Sequence, residues 1–351
     1  MEKIKTSNRG CPQCNMTCGN VVKDSEGIDS ELDYENVVML GSNIGLGNLA
    51  QISTINRLAD EFGVDSISLG NVIGFAMEAS AKGLVTDKIE WGDFEKVKTL
   101  VSDIVYRRGL GAILAEGVRS VSNAIGGGSS DWAMHVKGLE ISAYDCHAAP
   151  GMALAYGTSS IGAHHKDAWV ITWEIKTGRA NYDAGKVDFL IKTQLIRGGL
   201  FEALTVCRFP YSSLGFEIEW YQKYLKAATG HDFSLDDLNR IGDRILTLTR
   251  AFWVREYADK WSRDLDIPPV RWFKEPLTQG NLKGSVVLDL QKYSEMLGSY
   301  YEKRGWDERG VPARATLDQL GLGEEAKQLD SFVRLEQQPL VNTTVQNTPL
   351  L

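Results

Sequence analysis

The chain lacks any run of apolar residues long enough to cross a membrane, and no basic-then-apolar leader precedes its first cysteines. Positive charge is not in excess: 38 Lys and Arg face 46 Asp and Glu, a formal charge of -8. With no basic run besides, a nucleic-acid surface is excluded. Cysteine is scarce, five in 351 residues, and the odd count at this length argues against a secreted disulfide scaffold. Histidine is as scarce, and neither Cys nor His occurs between Cys18 and His135. No Glu-x-x-His occurs anywhere. What is plentiful is glycine, 35 residues, several placed where the backbone has to approach a neighbour closely. The length suggests two domains with ample material for a core.

Three of the five cysteines crowd into CPQCNMTCGN as Cys11, Cys14 and Cys18, and a fourth stands far away at Cys207. Thiolates at C-x2-C-x3-C spacing can hold an iron–sulfur cube, with a distant cysteine closing the last corner. Zinc is the rival, because C-x2-C is also a knuckle spacing. A zinc site normally finds its second pair of ligands within a few tens of residues, and none is present here, so the spacing favours a cluster. Cys146 reads as a buried packing residue.

Periodicity makes the chain mainly α. Asn48 caps a helix with Leu49, Ile52, Ile55, Leu58 and Phe62 on one face, stopped at Gly63. A second helix is expected from Ser66 to about Lys82. A third starts at the cap Asp93, with Val97, Leu100, Val101, Ile104 and Val105 inward and Gly109 past its end. Asp183 is the expected cap of another, which Gly198 and Gly199 should end. Ser234 with Asp237 is a capping box for a long helix reaching Ala258. Ala133 to Ser142 is the most strand-like segment. The expected domains are 1–142 and 143–333, with 334–351 a loose tail.

Together these motifs resemble the tungsten-containing aldehyde ferredoxin oxidoreductases over roughly residues 8 to 325. The resemblance rests on CPQCNMTC, DYENVVMLGSNIG (33–45), NRLADEFGVDSIS (56–68), AEGVRSVSNAIG (115–126) and HVKGLEISAYD (135–145). It continues through GMALAYGTSSIGAHH (151–165), the Cys207 segment and RGWDERGVPARATLDQLGL (304–322). It implies two helix-rich domains enclosing a bis-pterin cofactor, holding tungsten or molybdenum, beside a 4Fe-4S cluster. The implied cluster ligands are Cys11, Cys14, Cys18 and Cys207. The first implied pterin motif is Asp60-Glu61-Phe62-Gly63-Val64-Asp65, with Asp60, Gly63 and Asp65 at the cofactor. The second is Glu202-Ala203-Leu204-Thr205-Val206-Cys207, with Glu202 and Val206 at the cofactor. It departs from the family's D-x-x-G-L-C twice: Glu202 keeps the acceptor one methylene further out, and Thr205 in place of glycine weakens the case for a tight turn.

The family's catalytic glutamate maps onto Glu35 and its histidine onto His165, with His164 an unusual neighbour able to take the same role. A carboxylate that takes a proton and a histidine that polarises a carbonyl suit aldehyde oxidation. The Gly41–Asn43 turn and Tyr156 would complete the pocket. Without the resemblance, Asp60 reads as a solvated residue near a helix end, Glu35 as a surface residue and the His pair as a polar helix end. Asp145-Cys146-His147 replaces the proline–arginine pair that follows the aspartate in many relatives, which suggests a different substrate. Relatives begin with a β-rich cofactor-binding domain not found in these residues, so a separate chain is expected to supply it. The expected partners are that chain, ferredoxin and an aldehyde, in an anaerobic cytoplasm. The alternatives are a reductase of aromatic thioesters, and a non-catalytic iron–sulfur subunit or truncated fragment.

Overall fold

In a computed structural model, which describes residues 3–279, 283–284 and 288–338, the backbone is mainly helical and its strands are few and short. The chain divides into two compact units, Met1–Asp145 with Pro268–Arg271, and Cys146–Ile267 with Trp272–Leu351. Among the described residues no helix is long and apolar enough to cross a membrane.

The first unit opens with an antiparallel sheet, β1 (Lys5–Arg9), β2 (Gly19–Lys23) and β3 (Asp29–Glu31), in that order. These strands escaped the periodicity because β1 is exposed along its whole length and only Val22 and Ser30 are buried from the other two beside Gly19. Then come α1 (Tyr34–Met39), α2 (Leu49–Phe62), α3 (Ser66–Ala81), α4 (Phe94–Val105), α5 (Leu110–Leu114) and α6 (Gly117–Ile125). The expected caps are present. Asn48 accepts the Ala50 N–H at 2.9 Å and Asp93 the Lys96 N–H at 3.0 Å; a cap not expected, Asp65, accepts the Ser68 N–H at 2.7 Å. Leu40, Ile44, Ile55, Ile73, Val101 and Val121 are wholly buried. Each such side chain contributes roughly 1.5–3 kcal/mol of burial.

The expected strand at 133–142 is instead a small hairpin, β4 (His135–Val136) and β5 (Leu139–Glu140), turned at Lys137 and Gly138 with φ of 55° and 99°. Buried Glu140 pulls it onto the helices: its carboxylate accepts the Val118 N–H and the Ser68 hydroxyl, both at 2.8 Å.

The second unit contains α7 (Pro150–Thr158), α8 (Ile171–Thr177), α9 (Gly185–Gln194), a π-helical stretch Leu195–Phe201 and α10 (Glu202–Leu204). After these lie α11 (Phe209–Leu214), α12 (Ile218–Thr229), α13 (Leu235–Tyr257), α14 (Arg271–Lys274), α15 (Leu290–Lys303), α16 (Arg314–Gln319) and α17 (Gly323–Asp330). Asp183 accepts the Gly185 N–H at 2.7 Å, but the N-cap of α9 is Ala184 and makes no side-chain bond, whereas the expected Ser234–Asp237 capping box opens α13.

Gly198 and Gly199 do not end a helix. A Cβ on Gly199 would lie 2.4 Å from the Gly242 Cα, and one on Gly242 would lie 2.5 Å from the Leu195 carbonyl oxygen. The glycines are there for backbone contact between the π stretch and α13, which a sequence cannot distinguish from a helix stop.

Every residue of α7 is buried. Its N-terminus is held by the buried Glu174, which accepts the N–H groups of Gly151 and Met152 at 2.7 and 2.9 Å and pairs with buried Lys186 at 2.8 Å. At the start of the expected tail, Leu335 is buried, and the Glu336 and Gln337 carbonyls accept from the Arg314 and Ala315 N–H groups. The rest of that tail, 339–351, lies outside the described residues.

Candidate functional site

Cys11, Cys14 and Cys18 ride on the loop that closes the β1–β2 hairpin, whose last paired residues are Arg9 and Gly19. The loop is wound tightly: the Cys14 N–H donates to the Cys11 carbonyl at 3.0 Å, the Cys18 N–H to the Met16 carbonyl at 2.9 Å, and Gln13 takes φ 63°. All three thiols are exposed and none is in a disulfide, and Cys207 is the same; Cys146 is buried. Among the described residues no three Cys, His, Asp or Glu side chains converge enough to hold one metal ion. A zinc site needs its sulfurs bonded to a single atom, whereas a cluster takes each thiolate at its own iron. An all-sulfur, accessible and unbridged donor set can meet either demand.

The first pterin motif forms the junction of α2 and α3. Gly63 sits left-handed at φ 68°, ψ 36°, its N–H donating to the Asp60 carbonyl at 3.2 Å and the Val64 N–H to the Ala59 carbonyl at 2.8 Å. These are the paired bonds of a helix C-cap. A Cβ on Gly63 would meet nothing within 4 Å, so the turn has open space beside it. Asp65, the last residue of the motif, is spent on capping α3.

Asp60 is exposed at the helix end, and its carboxylate takes the Asn56 amide N–H at 3.3 Å. Partial burial raises its pKa and the Arg9 charge pulls it down. Asn56 also donates to the Glu31 carbonyl at 2.8 Å and accepts from Asn36 at 2.9 Å. A fixed polar ladder therefore ties the end of α2 to α1, the helix that carries Glu35.

The second motif, Glu202–Cys207, repeats the first. Thr205 sits at φ 51°, ψ 36°, with its N–H on the Glu202 carbonyl at 3.2 Å and the Val206 N–H on the Phe201 carbonyl at 3.1 Å. The turn expected to suffer from threonine forms all the same. A side chain in this conformation costs about 1–2 kcal/mol. Phe201, wholly buried with its ring 4.8 Å from Tyr221, anchors the turn against that cost. The Tyr221 hydroxyl donates to the Cys207 carbonyl at 3.2 Å, and Val206 is 38% exposed. Glu202 accepts from Arg208 at 3.0 Å.

His164 and His165 lie in the loop after α7, in the same unit as this second motif. Buried Asp167 organises the loop by accepting the Ser159 hydroxyl at 2.8 Å, the Ser160 N–H at 2.7 Å and the Ser160 hydroxyl at 2.6 Å. Nδ1 of His164 accepts the Lys166 N–H at 2.9 Å, which leaves the proton of the neutral ring on Nε2. Burial, then His164 and the Arg197 and Arg208 charges, push His165 down to about 3. His164 is lowered too, mainly by burial. Both rings, 5.4 Å apart, are uncharged at neutral pH and offer a neutral N–H or a lone pair. Tyr156 is buried in α7, 5.9 Å from the Trp272 ring, and is core rather than surface. His147 is buried beside the same tryptophan, at 6.4 Å.

Glu35 stands in the first turn of α1, in the unit that holds the three clustered cysteines and Asp60. Its carboxylate accepts the Ala143 N–H at 2.9 Å, and burial raises its pKa against that bond and one from Tyr144. A helix N-terminus would ordinarily lower a carboxyl, so desolvation wins here. Tyr34 stacks on Tyr144 at 5.4 Å and donates to the Ala143 carbonyl at 3.2 Å.

Tyr34, Tyr144, Asp167 and Arg208 escaped the sequence reading. The tyrosines had a signal, since each lies in a quoted string, DYEN and SAYD. Asp167 and Arg208 had none beyond their nearness in sequence to His165 and Cys207.

A family model, "Aldehyde ferredoxin oxidoreductase, domains 2 & 3", matches residues 1–322. The tungsten-containing aldehyde ferredoxin oxidoreductase of Thermococcus kodakarensis is 36% identical over 92% of this chain and 54% of its own length. That of Pyrococcus furiosus is 34% identical at the same coverage. A third relative, the WOR-like subunit of an aliphatic sulfonate oxidoreductase from Pyrococcus furiosus, is 29% identical over 85% of this chain and 46% of its own. This chain thus spans about half the length of the curated relatives it matches. In fold it is similar to the active-site complex BamBC of benzoyl coenzyme A reductase with 1,5-dienoyl-CoA, at a TM-score of 0.73 and 23% identity over 94% of this chain and 55% of that one. The chain belongs to the aldehyde ferredoxin oxidoreductase family, and what it carries are that family's domains 2 and 3.

Proposed function

We propose that this chain is the cluster- and pocket-bearing part of a tungsten or molybdenum bis-pterin oxidoreductase that oxidises an aldehyde, with water, to a carboxylic acid. The observation that carries this reading is the repeated turn. Each unit presents such a left-handed corner with a carboxylate three residues before it; the second unit makes it also at Glu302–Gly305 and Asp318–Gly321, and of these corners the one at 202–207 ends in a thiol. Asp60 and Glu202 would accept hydrogen bonds from the pterin N–H groups, and the space beside Gly63 would admit a ring edge. Cys11, Cys14, Cys18 and Cys207 would hold the 4Fe-4S cluster that passes electrons to ferredoxin. The rest of the cofactor cradle would come from polypeptide outside these 351 residues.

When bound, the metal centre supplies the two-electron redox chemistry. This chain supplies the proton chemistry. Glu35, its pKa raised by burial, takes up a proton as water adds to the carbonyl. His165, uncharged, donates a neutral N–H to the carbonyl oxygen, with His164 held by the Lys166 N–H as its neighbour. The Tyr34–Tyr144 stack fixes the segment that grips Glu35 and so aims its carboxylate.

Anaerobic purification followed by elemental analysis tests the reading. About four irons per chain are expected, with about one tungsten or molybdenum once the complete cradle is present. Stoichiometric zinc with no iron would sink it.

A further inference from the structure

Arg208 follows the candidate cluster ligand Cys207 directly and is 14% exposed in its side chain. Its guanidinium spans two acceptors. Nη2 donates to the Glu202 carboxylate at 3.0 Å, and Nη1 donates to the Lys166 carbonyl at 2.7 Å. Glu202 is the first residue of the second pterin motif, and Lys166 follows His165. Both backbone groups of Lys166 are therefore held, its N–H by His164 and its carbonyl by Arg208. The other end of the same loop is pinned at Ser160, by Asp167 and by the Trp253 indole N–H at 2.7 Å.

We propose that Arg208 is a positioning residue: its planar fork sets the His164–His165 loop against the Glu202–Cys207 motif, and its charge acts on the electron acceptor that Cys207 binds. Only a guanidinium offers parallel donors in a rigid plane wide enough for both acceptors; a lysine ammonium reaches one and lets go of the other. The charge has a second consequence. Glu202 already carries a negative charge near the arginine, and a cluster thiolate at Cys207 adds another. Removing the cation leaves both anions uncompensated and makes reduction of the cluster harder. The proposal rests on the function proposed above for the cluster, but the loop tie stands on hydrogen bonds alone.

The test compares the full chain with Arg208→Met and Arg208→Lys, after anaerobic cluster assembly. Amide hydrogen exchange is read over 159–167, and the cluster midpoint potential by redox titration. Hydrogen bonds to charged groups are worth about 1.5–3 kcal/mol each, so losing the Lys166 tie should speed exchange in this loop by at least about tenfold in Arg208→Met. The potential should fall in Arg208→Met and stay near wild type in Arg208→Lys, which keeps the charge. Unchanged exchange in Arg208→Met overturns the proposal. So does faster exchange with an unmoved potential, which would reduce Arg208 to a tie within the fold. A wild-type chain that takes up no iron is a different result: it sinks the cluster reading, and the exchange comparison still decides whether the tie exists.

Discussion

Residues 60–65 and 202–207 make the same corner from different chemistry. In each, the fourth residue turns left-handed and its N–H returns to the first residue's carbonyl, while the fifth residue's N–H returns to the carbonyl just before the motif. In the first the turning residue is glycine, which pays nothing for that conformation; in the second it is Thr205, which does. The sixth residue differs more. Asp65 is used up capping α3, whereas Cys207 begins no capped helix and leaves an exposed thiol. A repeated backbone can therefore hold one position for acceptor chemistry and release another for either capping or ligation.

The largest expected effect lies beside the second corner. His165→Asn, in a complex that turns over, should lower turnover by 10²–10⁴-fold, a range of about that size being typical of a lost acid–base group. Iron content should stay intact. Surviving turnover would pass the role to His164.

Acid should act on both units through their histidines. His135 is pushed down to about 4 by burial, with Arg119 adding to it, and His165 to about 3. In the unfolded chain each titrates near 6.5, so between about 6.5 and 4 the unfolded state binds more protons and stability falls as pH falls. The loss is up to ~1.4 kcal/mol per pH unit for each histidine. Glu35 and Asp60, raised by burial, act in the opposite sense. A urea-unfolding comparison with His135→Asn isolates one contribution: the wild type's advantage over the variant should shrink as pH drops through that window. An advantage that does not change with pH would contradict the half-buried, neutral His135.

Exchanging the turning residues sharpens the comparison itself. Gly63→Thr should cost about 1 kcal/mol, because the strain of 1–2 kcal/mol meets no added clash and is offset in part by a stiffer unfolded chain. Thr205→Gly should return a similar or smaller amount. A cost at Gly63 several times larger would mean that the two corners are not equivalent.

An effect of similar size belongs to the cap. Asp65→Ala should cost ~1 kcal/mol by urea unfolding, and Cys207→Ala should lack any such capping loss.

The helices were legible because their signals are local. Caps at Asn48, Asp93 and Ser234 and apolar faces such as Val97, Leu100, Val101 and Ile104 bonded and packed as their spacing implies. The elements that escaped depend on distant partners. The polar strands β1 to β3 exist through pairing with one another, and Gly199 through contact with Gly242. Thr205 went the same way, since an unfavourable residue is tolerated where Phe201 and Tyr221 hold the flanking backbone. Glu35 was named only by resemblance, because the burial that raises its pKa, and the Ala143 and Tyr144 bonds that oppose the rise, lie in no local window. The thiols were the plain part of the site, since spacing alone marks Cys11, Cys14 and Cys18.

The central claim is that Cys207, at the end of the second corner, belongs to the same donor set as Cys11, Cys14 and Cys18. Iron per chain after anaerobic assembly tests it most directly, measured in the wild type, Cys207→Ala and Cys146→Ala. The account predicts about four irons in the wild type and in Cys146→Ala, with most of the iron and its visible absorbance lost in Cys207→Ala. Unchanged iron in Cys207→Ala would contradict it.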